Sequence, residues 1–345
     1  MPILAHINAK ADFFGLIGNC IISFLCFAIL CGRITEAGIA VCEHFGVNCV
    51  FLKGDIDLMN RDRAFFGPGG NSEAFYAQKK KSTLEAPSWC AEIGLDAYEY
   101  EAGNGLRSGE ATLSEIGKEA KKHGILMSYH TPYFISLSGV ETEKRLKSIN
   151  YIKESLWAAE LLCAHTIVIH TGSAAKITRG EAMALAADTL CRTLDEISDN
   201  GVKLGLETMG KINQLGTLDE VIDLCKISPR LVPVVDFGHM HARELGKRFT
   251  DADSYRYVFE RIGEELGENT AKYLHCHFSR IEHTASGEKK HLCFCDDSPY
   301  GPDFRPLMEV IAKYGYCPSI ISESAGTQSG DALSMKKYYT EQRGK

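Results

Sequence analysis

The sequence predicts an α/β chain folded as a (β/α)8 TIM barrel, preceded by an atypical apolar N-terminal extension. Three observations predict it. From residue 64 onward, short β-rich apolar runs alternate with helical patterns. The alternation repeats eight times in about 280 residues, which is the length and order of such a barrel. Almost all links between strand and helix are short, as in a chain wound from β-α units. A doubly wound open sheet, built from the same units, is the runner-up.

The predicted strands are AFFGP (64–68), DAYEYE (96–101), ILMSYH (125–130), TIVIH (166–170), VKLGLE (202–207), LVPVVD (231–236), KYLHCHF (272–278) and SIISE (319–323). Helices fill the intervals. TLSEIGKEAKKHG reads as opening on a capping box formed by Thr112 and Glu115, and it stops at Gly124. TLDEVIDLC opens on Thr217 with Glu220 in the same relation, TLCRTLDEISDNG runs to Gly201, PLMEVIAKYG runs to Gly315, and DALSMKKYY closes the chain. The exception among the links is the segment 279–302 after the seventh strand, which is long enough to be a substrate or lid loop.

Residues 1–60 form a separate extension to the barrel of 64–343. Residues 13–32, FFGLIGNCIISFLCFAILCG, carry no charge, and a helix of that length would be about 30 Å long, enough to cross a bilayer. Lys10 and Asp12 before it and Arg33 after it give almost no asymmetry to orient a span. Three readings stand: a membrane anchor, a buried helical cap, or sequence upstream of a natural start at Met59. The first implies a membrane-tethered protein and the last a cytoplasmic one.

The chain has 345 residues, 45% of them hydrophobic, and a formal net charge of -7. That balance gives no general electrostatic reason to track nucleic acid, so a phosphate-bearing substrate would need a local positive site, which bound metal could supply. The 13 cysteines include no CxxC pair and sit mostly among apolar residues, as expected of core thiols in a reducing compartment. Cys293 and Cys295 in LCFC are the exception, but two thiols alone are too few for a soft-metal site.

The ends of the strands carry the chemical signal. Six of the eight end in, or are followed at once by, a metal-ligand type: His130, His170, Glu207, Asp236, His277 and Glu323. In a barrel the carboxyl ends of all strands converge on one face. His239, three residues past Asp236, and His291, in the long link, can reach the same mouth. Imidazole and carboxylate donors suit Zn²⁺, with Mn²⁺ or Mg²⁺ as alternatives, and eight such groups exceed the three or four that one ion takes. Two or three ions are therefore expected. Any one of these histidines alone would read as a satisfied polar cap on a core strand. Glu207 and Glu323 would incur a large desolvation cost behind KLGL and SIIS unless paired or metal-bound. His275 shares the face of His277 but lies deeper, as a supporting or core residue, and His241 points elsewhere.

The order of these motifs resembles the endonuclease IV family of the xylose-isomerase-like TIM barrels, whose members bind three zinc ions and cleave DNA at abasic sites. YHTPYFISL (129–137), IVIHTGS (167–173), LGLETMGKINQLG (204–216), VVDFGHMHA (234–242), HCHFSRIE (275–282) and IISESAG (320–326) carry the resemblance. It implies His130, His170 and Glu207 for one ion, Glu207, Asp236, His277 and Glu323 for a second, and His239 with His291 for a third. It also implies Tyr133 as a residue near the lesion, with DNA containing abasic sites as partner.

Two segments depart from the family pattern. Where the family has Asp-x-His, this chain reads GEKKHLCF, with Lys289 before His291. A protonated lysine cannot ligate and its charge opposes a dication. Either Glu288 substitutes after a one-residue shift, or the third site is weak and Lys289 contacts an anionic substrate or the transferring phosphoryl group. EYEAGNGLRSG (99–109) lacks an Arg- and Gln-rich DNA-probing loop and leaves Arg107 as the candidate substrate contact. The expected activity is metal-dependent phosphodiester hydrolysis, with Glu207 or Glu323 orienting the attacking water. The alternative is a sugar isomerase or epimerase that uses Glu207, Asp236, His277 and Glu323 around one ion and takes a small sugar. A third reading is a barrel that binds without turnover. No protein partner is evident.

Overall fold

A computed structural model describes residues 61–344. The expectations attached to residues 1–60, including the candidate span 13–32, lie outside these residues. Among the described residues no helix is long and apolar enough to cross a membrane.

All eight expected strands form, each within a residue or so of its predicted bounds except that the seventh begins three residues later. They are β1 (Phe65–Pro68), β2 (Ala97–Glu101), β3 (Leu126–His130), β4 (Thr166–His170), β5 (Lys203–Glu207), β6 (Leu231–Asp236), β7 (His275–Phe278) and, last in the chain, β10 (Ser319–Ser322). They make one eight-stranded sheet in the order β1-β10-β7-β6-β5-β4-β3-β2, with every pair parallel. The end strands β1 and β2 also meet. Asp96 N donates to Phe66 O at 2.9 Å and Gly70 N to Glu99 O at 3.0 Å, so the sheet is a nearly closed barrel. Gly67 permits this approach, because a Cβ there would stand 2.0 Å from Ala97 O. The open sheet is thereby excluded.

Helices cover the outside: α1 (Glu73–Ala77), α2 (Ala86–Glu92), α3 (Glu110–His123), α4 (Thr142–Leu161), α5 (Arg179–Glu196), α6 (Leu218–Cys225), α7 (Phe237–Arg243), α8 (Ala252–Leu266), α9 (Glu268–Lys272), α10 (Arg305–Tyr314) and α11 (Gln328–Arg343). The capping box at Thr217 and Glu220 is present, and Gly124 and Gly315 end α3 and α10 in the left-handed conformation. The box expected at Thr112 is not formed. Helix α3 starts at Glu110 behind an extended Gly109, with an acidic residue at the positive end of the helix dipole. Helix α5 ends at Glu196 rather than running to Gly201. Side chains of Asp199 and Asn200 accept from the backbone of Gly201 and Val202 and stabilise a turn there instead.

The strand period of two divides the molecule chemically. Tyr98, Tyr129, Ile167, Ile169, Leu204, Leu206, Val235, Cys276 and Phe278 lie in the apolar core shared with the helices. Of the alternate positions, Glu99, Ser128, His130, Glu207, Asp236, His275 and His277 are buried and polar. This second set faces the barrel interior and forms a polar column that ends at the mouth.

The long link after β7 is not a plain loop. It folds as an antiparallel hairpin, β8 (Arg280–Thr284) and β9 (Gly287–Leu292). The hairpin docks on the segment after β5, with Glu288 N donating to Gly210 O at 3.1 Å and Ile212 N to Ser286 O at 3.1 Å.

Candidate metal centre

Parallel register delivers the strand-end side chains at matching heights. His170 of β4 pairs with Glu207 of β5, and Asp236 of β6 pairs with His277 of β7. Glu207, fully buried, is the hub. Its Oε2 lies 3.2 Å from His170 Nε2 and 3.7 Å from His130 Nε2, while its Oε1 lies 3.0 Å from His277 Nδ1 and 3.4 Å from His239 Nδ1. His277 Nδ1 is also 3.4 Å from Glu323 Oε1.

Short hydrogen bonds orient these rings. His130 Nδ1 donates to Thr131 O at 3.0 Å, which leaves Nε2 facing Glu207. His239 Nδ1 donates to Thr208 O at 3.0 Å. Asp236 caps α7 by accepting from His239 N at 2.7 Å, so one carboxylate oxygen anchors the helix that presents His239.

Five groups of donor atoms result among the described residues: His130, His170 and Glu207; Glu207, Asp236, His239 and Glu323; His239, His291 and Glu323; and, around Glu99, Glu99 with His275 and His277 and Glu99 with Glu101 and Glu323. The first has the members expected from the sequence; the second has His239 where His277 was expected, and the third adds Glu323 to His239 and His291.

The donors fit divalent ions on two grounds. Glu207 Oε2 and Asp236 Oδ2 are buried and have no hydrogen-bond partner among the described residues, a costly state that ligation would relieve. The electrostatics agree. Burial would raise the Glu207 carboxyl, but the imidazoles of His130, His170, His239 and His277 outweigh it and hold it well below the usual carboxylate range. Burial, with Glu207 and Asp236 adding, pushes Glu323 well above that range. The imidazole of His130, disfavoured as a cation by burial, is raised to about 10 by Glu207, Glu101 and Glu99. A dication would replace this network of shared protons. The set of imidazoles and carboxylates suits Zn²⁺ or Mn²⁺.

The hairpin completes the outer part of the cluster. In the β8–β9 ladder Glu282 pairs with Lys290 and His283 with Glu288, so Lys289 is the extra residue of a bulge. The bulge turns Lys289 outward to Glu282, 2.6 Å away, with its side chain 55% exposed. Glu288 turns inward instead, with its Oε2 3.6 Å from His239 Nε2 and its Oε1 3.9 Å from His291 Nε2. Gly210 makes room, since a Cβ there would lie 2.6 Å from that of Glu288. The structure thus brings Glu288 to the position expected of Lys289.

Beside the cluster lies a cavity of about 450 Å³ lined by Glu101, Asn104, Arg107, Tyr133, His291, Glu323 and Gln328, among others. Arg107 and Tyr133, the two residues expected to contact substrate, both line it. Tyr133 is exposed and stacks on His170, with centroids 5.4 Å apart. His241 bonds through Nδ1 to Arg248 O, away from the cluster. Cys293 and Cys295 contact each other through sulfur at 2.6 Å, but neither joins a group of three ligands among the described residues.

Two residues escaped the sequence reading, Glu99 in the interior and Glu101 at the exposed end of β2. They alternate with Tyr98 and Tyr100 in YEYE, and two carboxylates at a spacing of two within one strand were the available signal.

A family model for the xylose isomerase-like TIM barrel matches residues 87–339. The chain belongs to this family. An uncharacterized protein of Methanocaldococcus jannaschii is 29% identical over 253 residues, covering 72% of this chain and 88% of that protein. A protein named "Probable endonuclease 4" from Acholeplasma laidlawii is 27% identical over 215 residues, covering 56% of this chain and 72% of its own. Among solved structures, a D-tagatose 3-epimerase-like protein superposes with a TM-score of 0.59 at 17% identity, covering 81% of this chain and 98% of that one. At that identity the likeness is one of fold. As a xylose isomerase-like barrel with clustered His and Glu donors, the protein is a metal-dependent enzyme, and those donors lie at the carboxyl ends of the strands.

Proposed function

We propose that the protein is a metal-dependent phosphodiester hydrolase that acts on abasic sites in DNA. The observation that carries this reading is the division of the Glu207 carboxylate. One oxygen faces His130 and His170, and the other faces His277 and His239. A carboxylate so flanked suits a bridge between two ions, and Glu288 with His239 and His291 offers donors for a third. A single-ion sugar enzyme has no use for this surplus. The curated relative from Acholeplasma laidlawii adds support at the level of sequence.

His130, His170 and Glu207 would hold one ion and Glu207, Asp236, His277 and Glu323 a second, with Zn²⁺ preferred. Bound ions would supply an acidified water and neutralise charge on the phosphoryl oxygens. Glu323, which belongs to the donor cluster and also lines the cavity, would orient the attacking water. Glu207 fixes the imidazoles around it. Arg107 offers a guanidinium to a phosphate oxygen, and the exposed ring of Tyr133 offers a face for an unstacked sugar or base.

The cavity itself favours a second reading, isomerisation or epimerisation of a small sugar. Arg107 is the single Lys or Arg in its lining, which also includes two carboxylates. The test is incision of an abasic-site duplex by protein loaded with Zn²⁺, Mn²⁺ or Mg²⁺, with chelated protein as control, beside a panel of ketohexoses. Metal-dependent incision is expected. Epimerisation without incision would overturn the hydrolase reading.

A further inference from the structure

Below the cluster, the polar column of the barrel contains a carboxylate that no ion proposed above requires. Glu99 is fully buried, one layer deeper than Glu207. Its Oε2 is fixed twice. Ser128 Oγ donates to it at 2.7 Å and His275 Nε2 donates to it at 3.0 Å. His275 is itself fixed, with Nδ1 3.0 Å from Ser319 Oγ and its ring packed against His165 at a centroid distance of 5.6 Å. With Oε2 committed, Oε1 is left 2.9 Å from Nε2 of His277. Both of these atoms are buried and neither makes a well-aligned hydrogen bond among the described residues, so this close ion-pair contact is the compensation each of them has.

We infer that Glu99, held by Ser128 and His275, is a positioning residue that keeps the His277 proton on Nε2 and so leaves Nδ1 free to ligate. The ring has two nitrogens and one task. Nδ1 faces Glu207 and Glu323 at 3.0 and 3.4 Å, so a proton residing there blocks ligation. A carboxylate opposite Nε2 draws the proton to that side and makes the ring a stronger donor on the other. Ser128, Glu99, His275 and Ser319 lie on four strands, β3, β2, β7 and β10, so the support is built into the barrel wall. Glu99 touches no reacting atom. It acts through His277, and the inference rests on His277 serving as an ion ligand.

The test compares full-length protein with Glu99→Gln and Ser128→Ala by zinc competition against a chromophoric chelator, by metal stoichiometry, and by ¹⁵N NMR of the histidine side chains. Zn²⁺ affinity at the site containing His277 is expected to fall about 10- to 100-fold in Glu99→Gln at unchanged stoichiometry. The NMR signals of His277 should shift from the Nε2–H tautomer of the wild type. Ser128→Ala, which keeps the carboxylate but loosens it, should weaken binding about threefold and serves alone if Glu99→Gln does not fold. Unchanged affinity and tautomer in a folded variant would overturn the inference while leaving the metal centre intact. Loss of one whole equivalent of zinc in Glu99→Gln would overturn it by making Glu99 a ligand. Wild-type protein that takes up no zinc would remove the metal centre and the inference together.

Discussion

The inner and outer parts of the cluster are built on different frameworks. His130, His170, Glu207, Asp236 and His277 come from five consecutive strands of the sheet, β3 to β7. His239 comes from a seven-residue helix, and Glu288 and His291 come from a hairpin docked on a loop. Strand-borne donors are locked by register, because a slip of one residue would turn each of them into the helix-facing core. Hairpin-borne donors are adjustable, because one extra residue in a bulge changes which side chain faces inward. The inner half is therefore expected to tolerate no substitution, and the outer half to be where the family's members differ.

The largest expected effect is at the inner hub. Glu207→Gln keeps the shape of the side chain and removes the charge that four imidazoles surround. Metal-dependent activity should fall about 10³-fold or more, with loss of bound metal measured by atomic absorption. Activity within tenfold of wild type would show that Glu207 does not bridge the ions.

In the outer half, Glu288→Ala and His291→Ala should each cost about 10- to 100-fold in activity and remove one equivalent of metal, leaving the inner equivalents bound. If both halves emptied together, the cluster would be one cooperative unit and the contrast between frameworks would fail.

Acidity offers a graded test. In the metal-free protein His130 is raised from 6.5 to about 10, and Asp236 with the neighbouring carboxylates raises His239 well above its ordinary value against the effect of burial. Protons compete with ions at both residues below those values, so Zn²⁺ affinity should rise about tenfold per pH unit from pH 6 to 8 for each proton released. Stability runs the opposite way in metal-free protein. The contribution of His130 is complete below pH 6.5 and is lost as pH rises through about 10, so metal-free protein should melt lower at pH 9 than at pH 7. Loaded protein should not show that loss. Melting curves at both pH values, with and without chelator, check the sign.

The difference between frameworks also governed what could be read from the sequence. Period-two patterning, together with a metal-ligand type at six of the eight strand ends, pointed to His130, His170, Glu207, Asp236, His277 and Glu323, because a barrel brings strand ends together whatever their separation in the chain. Glu99 was less visible. It lies mid-strand between two tyrosines, and its function depends on partners from β3 and β7 that no local pattern reveals. The start of α3 was misplaced because Thr112 and Glu115 have capping-box spacing, while the backbone used Gly109. Glu288 could be named only as an alternative to Lys289. A bulge is set by how two strands meet a third surface, here Gly210 and Lys211, and that meeting is tertiary.

The smallest expected effect falls on Lys289, and it tests the bulge most sharply. If the hairpin register holds in solution, Lys289→Ala removes an exposed ion pair with Glu282 and little else. Such pairs contribute about 0–1 kcal/mol, so the melting temperature should move by no more than about 2 °C, and kcat/KM by less than about twofold. If instead the hairpin slips by one residue, Lys289 faces the ions and Glu288 faces solvent. Removing the cation would then strengthen zinc binding at the outer site, and Glu288→Ala would be the silent variant. Measuring zinc stoichiometry and kcat/KM for the two single variants side by side separates the registers, because each register predicts a large effect for one residue and almost none for the other.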